Sequence, residues 1–317
     1  DIVPVVTENY NGEDLVLGTS GRTLAVADFP HLPSLKGRTL ITSDGTTILG
    51  ADNKAGIAEI MTMLEKIISE NIPHGQISVA FTPDEEIGTG AQSFDVETFD
   101  ADFGYTLDGD LEGEIQYENF NAYKATFDIT GFSVHPGSSK NTMINASLVA
   151  MEINSMLPAG ETPRGTEEYE GFYHLVSMSG DVCKATLNYI VRDHDASLMN
   201  ARLNTLRLIE KLMNEKWGEG TVKLEIAEQY RNMAEIVGTC MHLIENAKVA
   251  CENVRVTPNI IPIRGGTDGC QLSFKGLPCP NLGTGGHGYH GPYEHITVEG
   301  MDLMTDVAVE IVKLYAK

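Results

Sequence analysis

The chain has 317 residues, enough to bury two cores, and its 42% hydrophobic and 21% charged content is ordinary for a globular protein. Forty-five acidic residues against 22 basic ones leave a formal charge of −23, which argues against nucleic acid or an anionic membrane surface as a partner. No stretch approaches 18 apolar residues, and five scattered cysteines without a C-x-x-C pair suit reduced thiols, so no membrane helix and a cytoplasmic location are expected.

Between Lys54 and Glu70 the residues Ala55, Ile57, Ala58, Ile60, Met61, Leu64, Ile67 and Ile68 recur at helical spacing. Gln76–Phe81 reads as a buried strand leading to the acidic turn Asp84-Glu85-Glu86, and Phe103–Leu107 as another ending at Asp108. A helix followed by two such strands predicts an α/β fold with a mainly parallel sheet. Near Glu114 the pattern changes. Tyr123, Ala125, Phe127 and Ile129 alternate with polar neighbours, as half-exposed antiparallel strands do. A helix over 145–157, strands over 172–178 and 185–192, a long helix over 196–217 and a strand over 222–227 follow. The α/β texture then returns, with helices over 234–253 and 298–315 and a strand over 260–263. The expected domains are therefore 1–119, an inserted α+β domain over 120–232, and 233–317 completing the first.

Asp52, Glu85, Glu86 and Asp108 stand where helix or strand ends meet loops, the edge at which open α/β sheets bind ligands. Carboxylates brought to one edge repel one another unless cations neutralise them, and divalent metal is the simplest solution. Each residue also has a plainer reading. Asp52 suits a helix cap, Glu85-Glu86 a solvated turn, and Asp108-Gly109 a turn. In Thr284–His295 three histidines lie in a glycine-rich stretch suited to zinc ligation, and composition does not choose between His287 and His290.

The strings Gly50–Gly56 (GADNKAG), Phe81–Glu86 (FTPDEE), Asp108-Gly109, His135-Pro136-Gly137, Arg264–Gly269 (RGGTDG) and His290-Gly291 occur in an order that resembles the tripeptidase branch of the M20 zinc-peptidase family. The resemblance runs the length of the chain. It implies a zinc-peptidase-type catalytic domain interrupted by an α+β dimerisation (lid) domain, a homodimer, and release of the N-terminal residue from tripeptides. It further implies two zinc ions bridged by Asp52, with Glu86 and His290 completing one site and Asp108 serving the other. Glu85 would be the general base, and His135 would stabilise the oxyanion in a partner subunit's site. Arg264 would hold the peptide carboxylate, with Asn145 and Tyr230 lining the site, although those two equally suit helix-cap and core positions.

One family element has no counterpart. A His-x-Asp before Asp52 should complete the Asp108 site, and the only histidine there, His31, has no acid two residues on. The expectation is that an N-terminal segment is missing and that one zinc site is incomplete. Within the same family a dipeptidase or amino-acid deacylase is the alternative; a non-catalytic homologue is the alternative outside it.

Overall fold

A computed structural model describes residues 1–316. The chain runs β1 (Pro4–Thr7), β2 (Leu15–Leu17), β3 (Arg22–Leu24), β4 (Leu40–Ser43), α1 (Ala51–Ser69), α2 (Val96–Phe99), β5 (Thr106–Gly109) and β6 (Glu114–Gln116). Next come β7 (Asn121–Thr130), α3 (Ala146–Ser155), β8 (Phe172–Gly180), β9 (Lys184–Asp193), α4 (Ala196–Trp217) and β10 (Val222–Tyr230). The last stretch holds α5 (Ala234–Val237), α6 (His242–Asn253), β11 (Asn259–Ile260), α7 (Asp268–Phe274), β12 (Asn281–Gly283), β13 (Gly286–His287), β14 (His295–Thr297) and α8 (Val298–Tyr315). No described helix is long and apolar enough to cross a membrane.

These elements form two compact units. One contains Asp1–Tyr117, Met233–Ile261 and Thr267–Lys317; the other contains Glu118–Asn232 and Pro262–Gly266. In the second unit β10-β7-β9-β8 is an antiparallel sheet. The alternation in β7 turns Ala125, Phe127 and Ile129 into a core shared with Leu187, Tyr189 and Val191 of β9. Helices α3 and α4 close it with Val149, Ile153, Leu203 and Leu206.

The first unit is α/β in class, but its pairing is not mainly parallel. The sheet β11-β6-β12-β5 mixes two parallel pairs with the antiparallel β12–β6, and β1-β4-β14-β13 is antiparallel throughout. Part of the reason is the segment Gln76–Phe81. It forms no strand, and Ala80 and Phe81 are exposed. An apolar run becomes a strand only where neighbours take up its N–H and C=O groups, and this one has no strand partner among the described residues. It borders an apolar cavity of about 510 Å³ lined by Ile60, Met63, Phe99, Tyr105 and Leu272 among others. Helix α1 turns Ala55, Glu59, Met63 and Ile67 inward and leaves Ile57, Met61 and Ile68 exposed, so its periodicity marked a helix without choosing the buried face.

The helix expected over 234–253 is two helices. It breaks after Gly238, a weak helix former, where the Thr239 hydroxyl donates to the Ile236 carbonyl (2.8 Å) and competes with the helical ladder. The strand expected over 260–263 contracts to Asn259–Ile260, and Ile263 makes only a single bridge to Asn119.

Candidate metal centre

Four segments of the first unit bring the acidic groups together. At the first, Gly50 has φ 76°, a left-handed conformation that costs glycine little, and the chain then enters α1. The buried Glu294 carboxylate accepts the Gly50 N–H (2.7 Å) and the Asp52 N–H (2.9 Å), which fixes the approach to the helix. The Asn53 amide donates to the Leu107 carbonyl (2.6 Å) and accepts the Gly56 N–H (2.9 Å). Gly56 leaves no room for a side chain, since a Cβ there would lie 2.1 Å from the Leu107 oxygen. Two glycines of the GADNKAG string thus hold Asp52 against the end of β5, which carries Asp108.

The second segment is a short turn bearing Glu85 and Glu86, Glu85–Ile87, which starts after Asp84 at φ 64°. Asp268, buried at the start of α7, ties this region down: its carboxylate accepts the Thr82 hydroxyl (2.6 Å) and the Ala91 N–H (3.0 Å). Asn281 of β12 supports Asp108 by accepting its N–H (3.1 Å). The loop between β13 and β14 contributes His290, whose Nε2 lies 3.0 Å from Asp52 Oδ2 and 3.4 Å from Glu86 Oε2.

Asp52, Glu86 and His290 offer one ligand atom each within 4.8 Å of one another. The electrostatics fit a cation. Burial, then Glu86, raises the Asp52 carboxyl above its ordinary range, and His290 opposes the rise. Burial, then Asp268, Glu86 and Asp52, pushes Glu85 up to about 7. Burial, then Glu85 and Asp52, pushes Asp108 up to about 8. Carboxyls that resist ionising together bind a divalent ion readily, because the ion supplies the missing positive charge. Two carboxylates and an imidazole are a donor set that zinc accepts.

His287 does not join this group; it lies with His31 and His295. His135, Asn145, Tyr230 and Arg264 belong to the second unit. His135 is exposed, and its Nδ1 accepts the Gly137 N–H (3.1 Å). Asn145 caps α3 by accepting the Leu148 N–H (3.3 Å). Tyr230 ends β10 under the Arg192 guanidinium, 5.3 Å from its ring centre. Arg264 stacks on Phe120 and donates from Nη1 to the carbonyls of Glu168 and Glu170, and from Nη2 to Thr166.

Sequence reasoning did not single out Glu294 or Asp268 individually. Their roles depend on which loop amides they face, and the one available signal was position: Asp268 sits inside the RGGTDG string and Glu294 four residues beyond His290. Glu294→Ala is expected to weaken metal binding by about 10- to 100-fold, as loss of a group orienting a ligand does, with secondary structure unchanged by circular dichroism. A metal titration with Co2+ checks it.

The profile of peptidase family M20/M25/M40 matches residues 43–314. The chain belongs to this family. It is therefore a peptide-hydrolysing enzyme by descent. Peptidase T of Alkaliphilus oremlandii is 50% identical over 319 residues, covering all of this chain and 78% of that protein. Among solved structures, the aminopeptidase PepT of Bacillus cereus superposes with a TM-score of 0.78 at 29% identity, over 88% of this chain and 74% of that one. A tripeptidase of Staphylococcus aureus gives 0.76 at 26% identity, over 87% of this chain and 74% of the other. This M20/M25/M40 member keeps the α/β class expected of it.

Proposed function

We propose that the chain is a zinc-dependent tripeptide aminopeptidase, and the observation that carries the reading is the convergence of Asp52, Glu86 and His290 with Glu85 beside them. The relatives that are a peptidase T, an aminopeptidase and a tripeptidase support the substrate class. Asp52, Glu86 and His290 would hold one zinc ion, and Asp52 would be shared with a second ion served by Asp108. Residues 1–51 contain no His-x-Asp. Bound metal supplies a Lewis acid for the scissile carbonyl and lowers the pKa of water. Glu85 takes a proton from the attacking water as the new C–O bond forms. It returns that proton to the departing amine as the C–N bond breaks. In the metal-free chain burial and the neighbouring acids raise the Glu85 pKa to about 7; a bound cation offsets that rise and favours the carboxylate form that accepts the proton of water.

The first unit would be the catalytic domain and the second a dimerisation domain of a cytoplasmic homodimer, with the partner's copy of His135 stabilising the developing oxyanion. Asn145 and Tyr230 would line the substrate site. Incubating the metal-loaded chain with tripeptides, dipeptides and N-acyl amino acids tests the reading. Release of free N-terminal residue from tripeptides alone supports it; preference for either other class, or no turnover, rejects it.

Arg264 would exchange its carbonyl partners for the peptide carboxylate. Arg264→Met should then lower kcat/KM on free-acid tripeptides by on the order of ten- to hundredfold, as loss of a hydrogen bond to a charged group does. Tripeptide amides should lose far less. Equal loss on acid and amide would leave Arg264 with only its hold on the 166–170 segment.

A further inference from the structure

A second cluster of ligand-type side chains lies in the first unit and shares no residue with the candidate metal centre. Strands β13 and β14 place His287 opposite His295, and β14 places His295 opposite Thr42 of β4. Residues directly opposite share a sheet face, so Thr42, His295 and His287 form a row across three strands. His31, preceding the short turn Leu32–Leu35, lays its ring against that row. Its centre is 4.1 Å from that of His287 and 5.1 Å from that of His295, with all three rings nearly parallel.

Proton positions in the trio follow from its neighbours. His295 Nδ1–H donates to the Tyr293 carbonyl (2.7 Å), which leaves the Nε2 lone pair of the neutral ring free. His31 Nε2, 2.8 Å away, must then be the donor to it. Burial keeps the cluster neutral, since it lowers the pKa of His31 and takes His287 down to about 3 and His295 to about 4. Thr42 is 1% exposed, and its hydroxyl has no hydrogen-bond partner. The row therefore contains a buried polar atom that packing alone leaves unsatisfied.

We propose that His31, His287 and His295 form a further metal site, one that takes a late divalent transition-metal ion such as Co2+, Ni2+, Cu2+ or Zn2+. Each offers a ring nitrogen within 4.8 Å of the others. An all-imidazole set suits these ions and not Mg2+ or Ca2+, which prefer oxygen. Binding requires the His31 proton to move from Nε2 to Nδ1, with no net proton release. The His31–His295 nitrogen separation must also open from 2.8 Å to about 3.3 Å, the spacing set by metal–nitrogen bonds of about 2.05 Å in a tetrahedron, and the His287 ring must turn out of its stack on His31, because each lone pair lies in its ring plane. His31 and His287 are only half-buried, so an ion and its solvent can reach them. His287 and His295 bracket the loop that carries His290 and Glu294, so the ion ties the His31 segment to the base of that loop.

The test is a Co2+ titration of the metal-stripped chain carrying Asp52→Asn and His290→Ala, followed by its visible absorption. One Co2+ per chain is expected, with binding weakened by more than about tenfold on adding His31→Gln or His287→Gln, because loss of a mere supporting partner already costs about that much. Circular dichroism verifies the fold of each variant. If the double variant does not fold, bound ions are counted in the unmodified chain and in His31→Gln alone, where one fewer is expected. No bound Co2+ in a folded double variant, or binding that neither histidine variant changes, overturns the site.

Discussion

Glu85→Gln is expected to lower kcat on a good tripeptide by about 10^2- to 10^4-fold while the chain still binds metal, because this is the range a positioned general base contributes. The separation of the two effects follows from geometry. The ligand atoms that lie within 4.8 Å of one another belong to Asp52, Glu86 and His290, and Glu85 is not among them. Its neighbours act on it through charge, with burial first and then Asp268, Glu86 and Asp52 raising its pKa to about 7. Asp52→Asn should behave differently: it removes a ligand and loses bound metal together with activity. Steady-state rates and metal content measured on the same samples distinguish them. If Glu85→Gln retains full kcat, Glu85 is not the base.

Above about pH 7 the metal-free chain should lose stability as pH rises, and Glu59 should account for the upper part of that loss. Glu59 lies on the buried face of α1, 1% exposed, with neither carboxylate oxygen hydrogen-bonded. Burial raises its pKa from 4.5 to about 9. Burial and nearby acids likewise raise Asp108 to about 8, and Glu85 and Glu114 to about 7. For each group the folded chain holds a proton that the unfolded chain has released. Their contribution is therefore fully present below the ordinary carboxyl pKa and is lost as pH climbs through the raised value. Below about pH 7 His31, His194, His287 and His295, whose pKa values burial lowers, add stability as pH rises and offset this loss. Above it Asp108 and Glu59 act together to about pH 8, and Glu59 is the main group from there to about 9. A single such proton gives a slope of about 1.4 kcal/mol per pH unit. Adding a divalent metal should flatten the share due to Glu85 and Asp108 and leave that of Glu59. Glu59→Gln should remove the remaining slope between pH 7 and 9. Urea unfolding at a series of pH values measures both, and an unchanged slope in Glu59→Gln would place the proton linkage elsewhere.

Local pattern was enough for the class of fold and for the longest helices. The repeat in 196–217 and 298–315 gives α4 and α8 their observed limits, because an amphipathic stripe of five turns needs no information from elsewhere in the chain. The β7 alternation was legible for the same reason. The motif strings were legible too, since their residues and their order along the chain carry the resemblance to the M20/M25/M40 family. Pairing was not. Gln76–Phe81 has a strand's composition, but backbone groups pair only with a neighbour that the run itself does not specify. Nor does periodicity say that Glu59 turns inward while Ile57 and Met61 face out.

The same division runs through the candidate metal centre. From the sequence, Asp52, Glu85, Glu86 and Asp108 stood out by position; composition left His287 and His290 equivalent, and the family resemblance pointed to His290. Tertiary structure separated those two histidines, turning His290 toward Asp52 and Glu86 and His287 toward His31 and His295. His290 lies 238 residues from the aspartate it meets, and His31 lies 264 from His295. Glu294 and Asp268 owe their roles to loop amides equally remote in the chain. Residue type and spacing determine which groups are able to bind or transfer a charge. Which of them meet depends on the register of β4, β13 and β14, on the left-handed Gly50 and on the close approach at Gly56, and these are decided only when the whole chain packs.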